Sequence, residues 1–135
     1  MFKMFKKLAG VLVCASVLAA CNLTDEQLSV GEYDAENNVI FSEDVITNEG
    51  DITQFKSIVT EAENTGNRPD NIPSEEPAHI VKIDNPSEST LIMYVSIWSI
   101  DNTFIISRGF NNDTESFLLL DADLSKQLND ILMGD

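Results

Sequence analysis

The stretch Thr90–Ile100, TLIMYVSIWSI, limits the fold more than any other part of the chain. Its eleven residues are apolar or aromatic at nearly every position and include several β-branched side chains, the composition of a strand. It is far too short to cross a bilayer as a helix, which takes about 20 apolar residues. A strand apolar on both alternating faces lies inside a sheet with material on each side. Asp101-Asn102 supplies a two-residue turn, so Phe104 to Arg108 is expected to pair back as a hairpin. Tyr94 and Trp98 are four residues apart and therefore share a face. If that face is open they form an aromatic platform for a peptide, a sugar or a protein; if it is covered they are core.

The other elements fall around this strand. Val39 to Ile46 reads as a first strand, broken by Glu43 and Asp44, and Asn48-Glu49-Gly50 as a turn. Asp51-x-x-Gln54 has capping-box spacing and opens a helix whose apolar stripe is Ile52, Phe55, Ile58, Val59 and Ala62; Gly66 stands where a C-cap glycine belongs. A loop with Pro69, Pro73 and Pro77 follows, long enough to be a functional candidate or a stiffened connection. Ala78 to Ile83 and Ser116 to Leu120 are further strands, and Gly109 to Glu115 is turn-rich. Asp121 caps a final helix to about Met133 with Leu124, Leu128, Ile131 and Leu132 on one stripe. The order β-α-β-β-β-β-α predicts an α+β fold: a mainly antiparallel sheet of about five strands with two helices packed on one face.

The N-terminal region says where such a domain would work. Lys3, Lys6 and Lys7 precede an apolar run from Leu8 to Val17, the layout of an export signal. Leu18-Ala19-Ala20-Cys21 then resembles the lipobox of bacterial lipoproteins. That resemblance implies cleavage between Ala20 and Cys21, acylation of the Cys21 sulfur, and a location on the extracytoplasmic face of the cell membrane. Two or more acyl chains on one residue anchor a protein stably, whereas one holds it only marginally. An ordinary export signal with an incidental cysteine is the alternative, although no A-x-A pattern ends at Ala20. The expected organisation is a signal peptide over 1–20, a lipidated cysteine and flexible acidic tether over 21–38, and one domain over 39–135. Cys14 lies within the signal, so a disulfide has no second cysteine after cleavage.

All 23 acidic residues follow Cys21 and three of the eight basic ones precede it, so the chain from Cys21 onward carries −18. A nucleic-acid surface needs the opposite sign. The balance suits solubility, multivalent cations or a cationic protein or peptide partner.

The helix Ile52-x-x-Phe55-x-x-Ile58, the proline-bearing loop, the strand with Tyr94 and Trp98, and the closing Leu119-Leu120-Asp121 with Leu124, Leu128, Ile131 and Leu132 resemble the YhfM-like domain of small lipoproteins from Gram-positive bacteria. The resemblance spans about Thr47 to Met133 and implies an exported α+β domain, with no catalytic residues to carry across.

The sequence itself shows no catalytic motif. His79 is the sole histidine; Glu75 and Glu76 are near it, but no nucleophile motif or zinc spacing accompanies it, and an edge residue is the plain reading. Neither Asp34-x-Glu36-x-Asn38 nor Asn111 to Glu115 has the frame of a calcium loop. Tyr94, Trp98, Phe110 and His79 are the candidate binding residues; no cofactor or metal is expected. The expected function is non-catalytic: a lipid-anchored acidic domain that binds or modulates another envelope or extracellular molecule. An accessory or sensor subunit of an envelope complex and a small cell-envelope hydrolase with paired carboxylates are the alternatives.

Overall fold

In a computed structural model, residues 23–109 and 116–133 are described. They form strands β1 (Leu23–Tyr33), β2 (Val39–Phe41) and β3 (Ile46–Asn48), helix α1 (Glu49–Thr65), strands β4 (His79–Asn85), β5 (Thr90–Ile100), β6 (Thr103–Arg108) and β7 (Phe117–Leu119), and helix α2 (Ala122–Met133). The strands make one antiparallel sheet in the order β2-β1-β4-β5-β6-β7, with β3 also on β1. The α+β class holds, with seven strands where about five were expected.

Both helices lie on one face. Phe55, Ile58 and Ala62 of α1 and Leu124, Leu128 and Ile131 of α2 share a continuous core with Leu28, Val81, Ile83, Val95, Ile97 and Ile106 of the sheet. The helix ends follow from local chemistry. The Asn48 side chain accepts a hydrogen bond from the Asp51 amide, so Asn48 is the N-cap, three residues before the Asp51 box expected from the sequence. Gly66 closes α1 in the left-handed conformation, its N–H donating to the Ala62 carbonyl. Asp121 caps α2 by accepting from the Leu124 amide. Asp101 and Asn102 both have positive φ, the mirror-image turn that a two-residue hairpin favours.

The acidic tether is corrected. Leu23 to Tyr33 is a strand inside the sheet, paired to β2 and β3 on one edge and to β4 along the other from Gln27 to Gly31. Leu28 is fully buried on the helix side, and Val30 packs against the same core. Gly31 faces the other way; a Cβ there would come within 2.9 Å of the Phe41 ring across the pair. The expected strand from Val39 to Ile46 is two short ones, because residues 42–45 bulge between the Gly31–Phe41 and Leu28–Ile46 pairs. Inside the bulge the Asp44 amide donates to the Ser42 hydroxyl.

On the sheet's second face a smaller core gathers Trp98, Ile105 and Phe117, with Ile100 and Leu119 against it. No helix covers it. The proline-bearing loop does: the Leu119 amide donates to the Asn67 carbonyl at the β7 edge, and the Trp98 indole N–H donates to the Glu75 carbonyl at 2.9 Å. The loop thus leaves α1 at one edge, passes over Trp98 and enters β4.

Candidate functional site

The residues singled out in the sequence do not converge. Tyr94 and Trp98 share a face, as their spacing requires, but Trp98 is 4 % exposed and stacks on Phe117 with ring centroids 5.0 Å apart. It is core, so the two make no platform. Tyr94 is half-buried nearer the β1 edge; burial, and then the nearby Tyr33 phenol, raise its pKa. Phe41 stands on that side too, but the ammonium of Lys82 already lies 4.4 Å from its ring centroid. Phe110 and Cys21 lie outside the described residues.

His79 is on the opposite, helix-covered side of the sheet, at the start of β4. There it lines an open groove of about 590 Å³ between the β1–β2 edge and the last turn of α2, a volume in the usual range of ligand sites. The groove is assembled from three distant segments. Val30 comes from β1, Ile40, Val45 and Ile46 from the edge chain, and Leu132 and Met133 from α2. Ile40, Val45 and Met133 are 58 %, 39 % and 59 % exposed, unusually open for large apolar side chains gathered in one place. Glu32, Ser42, Asp44 and His79 supply the polar part.

Its local origin is plain. Strand alternation turns Leu28, Val30 and Glu32 toward the helices, and Ile40 stands directly opposite Glu32. Among the described residues α2 seals the core at Ile131 and carries Met133 past it, with the cleft between its last turn and β2 open. The Nδ1 atom of His79 is enclosed and lies 3.6 Å from a Glu32 carboxylate oxygen, too far for a hydrogen bond. A general base needs a reacting partner in reach; the groove's hydroxyl, that of Ser42, accepts a hydrogen bond from the Asp44 amide. Among the described residues no three metal-ligating side chains converge. The arrangement can hold an apolar group with a positive charge beside it.

Of the groove residues only His79 carries a signal readable along the chain. The exposed Ile40 and Val45 look in sequence like ordinary strand residues. No protein-family model, curated protein or solved structure matches the chain. Among the described residues no helix is long and apolar enough to cross a membrane.

Proposed function

We propose that this chain is a lipid-anchored extracytoplasmic protein that binds a cationic partner without transforming it. The observation that carries the reading is the groove: exposed apolar side chains bordered by Glu32 and Asp44, on a chain carrying −18 beyond Cys21. Negatively charged surroundings raise the local concentration of a positively charged partner and speed its encounter, an effect that salt screens.

The anchor and the groove are compatible in position. β1 begins at Leu23, two residues past Cys21, so at most about 8 Å of backbone separates the residue to be acylated from the strand. Glu32 is nine residues further on, about 30 Å along an extended strand. The anchor would hold one end of the sheet against the bilayer and present the groove away from it.

Two measurements test the reading. Acyl labelling of the wild-type protein should be lost in Cys21→Ser, with the precursor left uncleaved; normal labelling of the variant removes the anchor. Crosslinking capture from intact cells, analysed at low and high salt, should enrich a basic partner that high salt releases. Enrichment of a membrane complex that survives high salt would replace this reading with that of an accessory subunit.

A further inference from the structure

The groove lies against an open sheet edge. Among the described residues β2 pairs with β1 on one side and has no strand on the other. Which backbone groups face outward follows from the ladder. The Asp34 amide donates to the Asn38 carbonyl and the Ser42 amide to the Val30 carbonyl, so Asn38, Ile40 and Ser42 turn their amide groups toward β1. Val39 and Phe41 therefore turn theirs away from the sheet, while the Ile40 side chain projects into the groove.

Open edges invite pairing with another chain, and proteins blunt them with short strands, bulges and charges. Here β2 has three residues and ends in a bulge bearing Glu43 and Asp44. These guards are acidic on an acidic chain, so they repel a second copy and attract a basic strand. Shape and charge thus point to different answers for different partners: the edge is closed to itself and open to its electrostatic opposite.

We propose that the groove receives an extended basic segment of the partner, which adds to the outer edge of β2 as a further strand. Backbone pairing at Val39 and Phe41 supplies the register. Side chains on one face of the segment enter the groove beside Ile40, Val45 and Met133, where a lysine or arginine among them meets Glu32 and Asp44, and those on the other face add positive charge outside it. This is strand addition, in which main-chain bonds give affinity and side-chain pockets give selectivity. It rests on the cationic-partner reading above and specifies how that partner is held.

The test uses the full lipoprotein in neutral detergent micelles and an end-capped heptapeptide of alternating lysine and valine as the probe. Binding should weaken steeply as salt rises. Two further peptides carry N-methyl groups, one on every lysine amide and the other on every valine amide. Strand addition uses one alternating set of amides, so one methylated peptide should lose at least about tenfold in affinity and the other should stay near the parent. Equal binding by all three overturns the proposal, and this comparison needs no change to the protein. On the protein side, Val39→Pro removes an outward N–H that β1 does not use, a place where an edge strand tolerates proline. It should keep the melting temperature within a few degrees and weaken the parent peptide about tenfold; unchanged affinity counts against strand addition. Intact lysozyme serves as a folded basic control. If it binds in a salt-sensitive way while the parent peptide does not, the cationic-partner reading stands and strand addition falls; if neither binds, both fall.

Discussion

The two faces of the sheet are covered by different means. On one side two helices lay their stripes over Leu28, Val81, Val95 and Ile106, and the core is continuous from β1 to β7. On the other, a loop with three prolines crosses Trp98, with an indole–carbonyl bond to Glu75 and a backbone bond at β7 among its fixed points. Strand β5 serves both, sending Met93, Val95 and Ile97 to the helices and Trp98 to the loop. A helix keeps its backbone ladder when one side-chain contact goes, so the loss is felt in global stability and not as local opening. A loop has no internal ladder and depends on its few fixed points.

That contrast yields graded expectations. Phe55→Ala, which empties the centre of the helix-covered core, should cost about 3–5 kcal/mol in denaturant unfolding. Trp98→Phe keeps most of the aromatic bulk and removes the donor to Glu75; it should cost about 1–2 kcal/mol and open residues 66–78 to proteolysis. A loss as large as that of Phe55→Ala, or an unchanged cleavage rate in the loop, would erase the distinction between the faces. Asp121→Ala removes the cap of α2 and should cost about 1 kcal/mol by the same measurement, without altering loop cleavage.

The smallest effect concerns Tyr94. Its phenol has a folded pKa raised above 10.0, so the folded state holds its proton more tightly than the unfolded one. That contribution is fully present below pH 10 and is lost as pH rises through the folded pKa. Tyr94→Phe should therefore flatten the alkaline fall in stability slightly, readable as a smaller melting-temperature difference between pH 9 and pH 11. An unaltered alkaline profile would show that Tyr94 is not the group responsible.

Much of the helix-covered side was legible. Stripes of 3.6-residue period mark α1 and α2, and Gly66, Asp101-Asn102 and Asp121 hold the capping or turn positions that their side chains favour. The failures have one physical cause: the missing information lies in partners distant along the chain. In β1 the strand formers Thr24, Val30 and Tyr33 are separated by acidic and small residues. Glu26 is satisfied by the Lys56 ammonium at 2.7 Å, and Gly31 is accommodated by the Phe41 ring that lies over it. Neither partner can be read locally. The groove was illegible for the same reason, since its walls come from β1, the β2–β3 edge and the end of α2. His79 was flagged for its chemistry, but its place beside Ile40 and Met133 is a product of topology.

The position of β1 also sets an order of assembly. Its pairs with β2 and β3 close short loops, and β4 to β7 form a meander that closes locally as well. Val30 must wait for Val81, 51 residues later, before the two halves become one sheet. Long-range pairing is the slow step when local pairing is fast. Refolding should therefore pass through two preformed halves with the inner edges of β1 and β4 still bare, the interval in which this chain is most exposed to wrong pairing. Stopped-flow refolding of Val81→Ala would reveal it as a slowed main phase; an unchanged rate would place the joining of the halves after the barrier.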